Sequence, residues 1–416
     1  MNIFSKSMDL DSIIKYVRNI DKKIILFGLS EITKNNINKF DNIYAIVDNN
    51  KNIQGKVFEK IKICSPNILE KSNDFLVILW GNHIEDMLAQ IAKNEYIICS
   101  NKTQSLLKLE EDYFSIMQDS KKTFKKNITS IDIELHSYCN RTCWFCPNSF
   151  IDRKRNNQYF DKNIFTSMME DLSLINYDNY ISFNGYSEPM ANKYLKEYLE
   201  IAKDYLPNAK LHINTNGDFL NSKKIEELYL SGLKSMWIQI YLDKNEEFSF
   251  KIIDDKFTKI MSNTEIIKYE LKSNTADFVE YSCIYKDMEI KAYARDFSKN
   301  GVNRGDLKVN ETIYVRDNPC SSIFNQVIIN HKSEVLPCCH IRTDYEKHKT
   351  FSLGSLKDNC IFDIFKNKKY IAWRKSLLYF NKKFKYPCTN CNFMTVKKTN
   401  ILSEHINRLN RNLNIL

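Results

Sequence analysis

Ile131-Asp-Ile-Glu-Leu-His-Ser-Tyr-Cys-Asn-Arg-Thr-Cys-Trp-Phe-Cys-Pro147 runs from an apolar strand straight into a loop that holds Cys139, Cys143 and Cys146. The spacing is C-x3-C-x2-C. Three thiolates this close can hold three irons of a 4Fe–4S cube and leave the fourth iron without a protein ligand. An open iron suits chemistry on a chelating small molecule, whereas protein-only electron carriers close the cube with a fourth Cys. Zinc usually takes four ligands, often in C-x2-C pairs.

Outward from this loop the chain alternates short apolar runs with helical stretches. Strands are expected at Ile131–Leu135, Tyr180–Phe183, Lys210–Ile213 and Ser235–Tyr241, with helices over Asp161–Leu174, Lys193–Tyr205 and Lys223–Leu230. Further strands are expected near Ile266–Leu271 and Ile290–Ala294. Such βα repetition implies a parallel sheet curling into a full or partial barrel, with ligands at the carboxyl ends of the strands. Those ends turn polar, as a site there requires: Phe183-Asn-Gly-Tyr-Ser-Glu-Pro189, His212-Ile-Asn-Thr-Asn-Gly217 and Trp237-Ile-Gln-Ile-Tyr-Leu-Asp243.

The cysteine loop, with aromatic Phe145 just before the third Cys, resembles the signature of the radical SAM enzymes. In that family the open iron binds S-adenosylmethionine, whose one-electron cleavage gives methionine and a 5′-deoxyadenosyl radical. The resemblance implies a partial (β/α)6 TIM-type barrel over 129–305 in an α/β fold. It also makes Phe145, Gly185, Glu188, Pro189, Asn214, Thr215, Asn216 and Gln239 the expected cofactor contacts. Gly185, Glu188 and Pro189 match the family's glycine–glutamate–proline motif. Ser187 stands where a smaller residue is usual, and Tyr241 where relatives often carry a polar contact.

Cysteines resume downstream at Cys320, at Cys338 and Cys339, and at Cys388 and Cys391. With Leu353-Gly-Ser-Leu-Lys357 and a helix over about 361–378, they resemble the twitch form of the SPASM module, expected over 306–416. The resemblance makes Cys320, Cys338, Cys388 and Cys391 the ligands of a second, fully ligated 4Fe–4S cluster. Neighbouring side chains in extended chain point apart, so only one of Cys338 and Cys339 can join that cube; Cys338 is the expected ligand and Cys339 the spare, with the exchange of the two left open. The same four thiols also suit zinc. Cys64, Cys99 and Cys283 read as small buried hydrophobes, and Cys283 would be a thiol hydrogen donor if it faces the barrel cavity.

Ahead of the barrel, residues 1–105 read as a small Rossmann-like parallel sheet, with strands at Lys22–Gly28, Ile43–Asp48, Phe75–Trp80 and Tyr96–Cys99. Asp48 lies where a ribose-binding acid would sit, but Gly28-Leu-Ser-Glu-Ile-Thr33 keeps one glycine of the dinucleotide fingerprint. Residues 106–128 read as a helix and solvated linker. The net charge of +10 comes from Lys spread along the chain, with no compact basic block for nucleic acid and no apolar run long enough for a membrane. Twelve Cys and no recognisable signal peptide point to a reducing cytoplasm.

The expected activity is radical oxidation of a carbohydrate, aminocyclitol or nucleotide-linked sugar, fed by a flavodoxin- or ferredoxin-type electron donor. A closed second cluster can accept an electron from a substrate radical. In a family member with a single auxiliary cluster and similar Cys spacing, an Arg shortly before the first auxiliary Cys helps deprotonate the substrate. That makes Arg304, sixteen residues before Cys320, the candidate, with Arg295 and Arg316 competing. Epimerisation and peptide modification are the alternatives.

Overall fold

The computed structural model describes residues 5–7, 10–72, 74–80, 87, 90–91, 94–99, 119–266, 268–303, 314–380, 383–396 and 402–403. The chain divides into two compact units. One takes in residues 1–113, Leu378–Phe380 and the chain from Met394; the other takes in 114–377 and 381–393.

The first unit is built on a seven-stranded sheet: β1 (Ser5–Ser7), β2 (Lys23–Phe27), β3 (Ile43–Val47), β4 (Val57–Phe58), β5 (Ile61–Cys64), β6 (Phe75–Trp80) and β7 (Glu95–Cys99). Its order is β1-β7-β6-β2-β3-β5-β4, parallel except for the β4–β5 pair. β6 is buried at all six positions, as a central parallel strand covered on both faces must be. Helix α1 (Leu10–Val17) lays Ile13, Ile14 and Val17 on the sheet beside Ile24, Leu26 and Ile78, and α2 (Glu31–Asn36), capped by Ser30, follows β2. Asp48 accepts the amide hydrogens of Leu29 (2.7 Å) and Asn50 (2.8 Å), so this carboxylate closes the Gly28 turn.

The second unit begins with α3 (Ser120–Asn127), capped by Asp119, and the strand β8 (Ser130–Ile133). It continues through α4 (Lys162–Ser173), β9 (Tyr180–Phe183), α5 (Leu195–Tyr205), β10 (Lys210–Thr215), α6 (Ser222–Leu230), β11 (Ser235–Gln239) and α7 (Phe250–Met261). Then come β12 (Glu270–Asn274), β13 (Phe278–Tyr285) and β14 (Met288–Arg295). The last part holds β15 (Gln326–Ile329), β16 (Glu334–Leu336), β17 (Gly354–Ser355), α8 (Ile361–Phe365) and α9 (Lys368–Ser376). Polar N-caps start the main helices, Asp161 for α4, Asn221 for α6 and Ser249 for α7.

All ten strands form one sheet, ordered β12-β13-β14-β11-β10-β9-β8-β15-β16-β17. The run from β14 to β15 is parallel throughout. Two features depart from the expected order of strands. β13 occupies a stretch where no strand was expected, although Val279, Tyr281 and Cys283 alternate with less buried residues along it. The sixth parallel strand, β15, lies beyond residue 305 and pairs with β8, opposite to β14. In β8, Ile131 and Ile133 are fully buried, while Ser130 and Asp132 occupy the alternate face. The part of the linker over 106–118 lies outside the described residues.

Candidate active site between two sets of cysteines

Past β8, hydrogen bonds to the β10 loop fix the cysteine loop. Arg141 donates from Nε and Nη2 to the two oxygens of Asp218, and Asn140 donates to Asp218 at 2.7 Å. Asn216 in turn donates to Asn140 at 2.9 Å. Cys139, Cys143 and Cys146 all line one cavity of about 230 Å³. Burial pushes the Cys139 thiol up to about 11 and that of Cys143 up to about 12. A coordinated metal reverses such a shift, because a ligating thiol is deprotonated outright. Phe145 stacks flat on Phe297, with ring centroids 3.6 Å apart, and forms a wall of the same cavity.

Gly185, Ser187, Glu188, Asn214, Thr215, Asn216 and Gln239 join the lining. Gly185 has φ +126°, and a Cβ there would come within 3.0 Å of Glu134. The Glu188 carboxylate ties two loops together: Oε1 accepts from Thr215 Oγ1 (2.6 Å) and Met190 N (3.1 Å), and Oε2 from Asn216 N (2.8 Å). Burial outweighs these donors and raises its pKa to about 7. Gln239 accepts from the Tyr241 hydroxyl at 2.7 Å, which puts Tyr241 in the cavity wall too. Pro189 is buried and starts a short 3-10 turn outside the lining.

The proposed catalytic residues fare differently. Arg304 lies outside the described residues. Cys283 is buried on β13, outside the cavity lining, where desolvation raises its pKa to about 11. Of the competing arginines, Arg295 lines the cavity, its guanidinium 4.4 Å from the Phe297 ring centroid. Arg316 instead sits among the downstream thiols. It donates to the carbonyls of Cys391 (2.9 Å), Asn318 (3.0 Å) and Pro319 (2.9 Å).

Those thiols form the second set. Cys391 acts electrostatically on both Cys320 and Cys338, and Cys320 on Cys388. Burial pushes Cys388 up to about 12 and raises Cys320 and Cys338 as well. Cys338, Cys388 and Cys391 line a separate cavity of about 270 Å³. Cys339 lines the first cavity instead, and its carbonyl accepts from the Tyr186 hydroxyl at 2.9 Å. Consecutive cysteines thus serve two sites. Among the described residues no three His, Cys, Asp or Glu side chains converge on the position of a single metal ion. Two all-cysteine sets, one of three and one of four, fit an open and a closed iron–sulfur cube in their donors.

A third group of residues adjoins the cavity, and of these the sequence singles out only Gly185 and Cys339. Asp132, Asn184, Gly185, Tyr186 and Cys339 line both the first cavity and a small pocket of about 30 Å³ beside it. That pocket also contains Glu134, Arg153, His331, Arg342 and Asp344. Arg342 lies 4.3 Å from the Tyr186 ring centroid and donates to Asn148 at 3.1 Å, and Asn148 donates to the Tyr186 carbonyl at 2.8 Å. For the others the sequence offers only the period of β8, which puts Asp132 opposite Ile131 and Ile133.

Residues 320–392 match the model of the SPASM iron–sulfur cluster-binding domain. The segment holds Cys320, Cys338, Cys388 and Cys391, the four expected ligands. Over 273 residues the chain is 26% identical to the S-adenosyl-L-methionine-dependent 2-deoxy-scyllo-inosamine dehydrogenase of Niallia circulans, covering 65% of this chain and 96% of the relative. By similarity these matches set the chain beside S-adenosyl-L-methionine-dependent enzymes, with a SPASM-type segment over residues 320–392. Among solved structures, BtrN in complex with AdoMet and 2-DOIA is 24% identical, with a TM-score of 0.47 over 65% of this chain and 95% of that one. The enzyme anSMEcpe with bound AdoMet and the Cp18Cys peptide is 11% identical, with a TM-score of 0.36 over 67% of this chain and 95% of that one.

Proposed function

We propose that this chain is a radical SAM enzyme that oxidises a hydroxyl-bearing carbon of an aminocyclitol or a similar amino sugar to a carbonyl. One observation carries the reading: Cys338 faces the second thiol set while Cys339 lines the cavity that holds the first. A substrate in that cavity lies one residue from an electron acceptor. The named activity of the Niallia circulans relative supports the same chemistry.

Cys139, Cys143 and Cys146 would hold the cluster that binds S-adenosylmethionine, and Cys320, Cys338, Cys388 and Cys391 the auxiliary cluster. When bound, the first cluster and its cofactor supply a primary carbon radical that removes one hydrogen atom from the substrate. An auxiliary cluster held by the second cysteine set would supply the acceptor for the second electron, and with the hydroxyl proton released to solvent the product is a carbonyl two hydrogens lighter. Phe145, Gly185, Glu188, Asn214, Thr215, Asn216 and Gln239 are proposed to shape the cofactor's seat, with Pro189 fixing the turn. Arginine normally stays protonated, so Arg304 and Arg295 are proposed to orient the substrate rather than to accept its proton.

The six parallel strands from β14 to β15 are proposed to curl into a partial (β/α)6 barrel, five of them within 129–305 and β15 from the segment that follows, with a Rossmann-like domain over 1–105, a linker over 106–128 and the twitch-like module over 306–416. A flavodoxin- or ferredoxin-type donor and a cytoplasmic location complete the reading. Twelve cysteines, none of them in a disulfide, suit a reducing compartment.

Reduced, reconstituted protein given S-adenosylmethionine and an aminocyclitol tests this reading, the expected products being 5′-deoxyadenosine and the ketone. Turnover of a peptide with aminocyclitols inert would overturn it. The Cys339 thiol in the cavity favours a second reading, epimerisation with hydrogen returned from sulfur. In deuterated water that reaction labels the inverted carbon, which oxidation does not.

A further inference from the structure

Two acids line the cavity, Glu188 and Asp132. Glu188 is occupied, its oxygens accepting from Thr215, Met190 and Asn216. Asp132 is also held by neutral donors, so what sets it apart from Glu188 is its place on the cavity wall. It accepts from the Ser130 hydroxyl at 2.5 Å and also interacts with the side chains of Ser182 and Asn184. Among the described residues these partners are neutral, and no cation pairs with it. An enclosed carboxylate without a cation is costly, and an arriving ammonium group offsets that cost.

The position of Asp132 separates substrate from cofactor. Cys139, Cys143, Cys146 and the Asn214–Asn216 stretch line the first cavity and not the pocket of Cys339 and Arg342, whereas Asp132 lies on the wall shared with that pocket. It therefore faces the auxiliary side. Arg295, on β14, lines the same cavity although three strands lie between β14 and β8 in the sheet. A molecule held between the two meets an anion on one wall and a cation on the other.

We infer that Asp132 receives the ammonium group of the substrate and selects an amino-bearing cyclitol or sugar over its neutral polyol counterpart. This rests on the proposed oxidation of an amino-bearing substrate and adds the residue that reads the amine. Arg295, on the opposite wall, faces the hydroxyl-bearing part of the ring.

The test uses the holoenzyme with 2-deoxy-scyllo-inosamine and with the analogue that carries a hydroxyl in place of the amine. Iron content and S-adenosylmethionine affinity are measured for each variant. Asp132→Asn keeps the shape and removes the charge, so KM and the calorimetric Kd for the amine should rise about 10- to 100-fold, the worth of a hydrogen bond to a charged group. The same constants for the neutral analogue should change less than about 3-fold, since no charged pair is lost there. Asp132→Glu should restore part of the preference. Equal losses for both compounds, or weaker binding of S-adenosylmethionine, would overturn the inference. Wild-type enzyme that oxidises neither compound would instead sink the functional reading beneath it.

Discussion

His331 Nδ1 meets Glu134 Oε2 at 2.7 Å, both side chains being almost fully buried. The pair joins the residue after β8 to the residue two past β15. Arg153 holds the other Glu134 oxygen at 3.0 Å and reaches Asp344 at 2.8 Å, and Arg342 shares Asp344 at 2.7 Å. Glu134 Oε1 also accepts from Tyr186 N at 2.9 Å, so the network supports the loop that carries Gly185.

Glu134→Gln should destabilise this unit by about 3–5 kcal/mol, because it leaves Arg153 and His331 buried beside a neutral group. Burial alone pushes the Glu134 carboxyl up, but Arg153, His331 and Arg342 outweigh it and hold the pKa well below the ordinary value. For a depressed carboxyl the stabilisation is present above the unfolded-state pKa and is lost as pH falls toward the folded one. Thermal melts should therefore show wild-type stability falling below about pH 4.3, with the variant flatter there. Superimposable melting curves would remove the network from the account.

Glu188 has the opposite sign. Its pKa is raised to about 7, first by burial. A carboxyl raised on folding binds a proton in the native state that the unfolded chain has released. Apo-protein stability should then decline as pH climbs from about 4.3, the ordinary value, toward neutrality. Glu188→Gln should flatten that decline, which melts at stepped pH would register.

Adjacent cysteines should behave differently. Cys338→Ala should lose about four irons, the content of one cube, while Cys339→Ala keeps both cubes. Iron and sulfide analysis decides this, and the reverse result would exchange their roles.

Gly185→Ala forces a side chain into a φ that L-residues rarely adopt and against Glu134. The strain is worth about 1–3 kcal/mol. Affinity for S-adenosylmethionine should drop about tenfold or more at unchanged iron content, as equilibrium binding would show.

What the chain reveals on reading follows the range of each interaction. The loop of Cys139, Cys143 and Cys146 and the polar strand ends at Asn214 and Gln239 are local patterns, and each of these residues lines the cavity. β2 and β6 read clearly because covered parallel strands are continuous apolar runs, whereas β1, β4 and β5 are too short to register. The pairing of β15 with β8, the Glu134–His331 bond and the turn of Cys339 toward the first cavity were not legible. Each joins residues far apart in the chain, and no local period encodes such a meeting. Asp48 shows the converse: its spacing suggested a ribose contact, but its oxygens close the Gly28 turn.

The most direct measurement is iron content together with 5′-deoxyadenosine formation in protein with Cys139, Cys143 and Cys146 all changed to Ala. Wild-type protein reconstituted without oxygen should hold about eight irons, as two cubes require, and the triple variant about four. The account predicts that the variant forms no 5′-deoxyadenosine on reduction with S-adenosylmethionine. Cleavage that survives the triple change would contradict it.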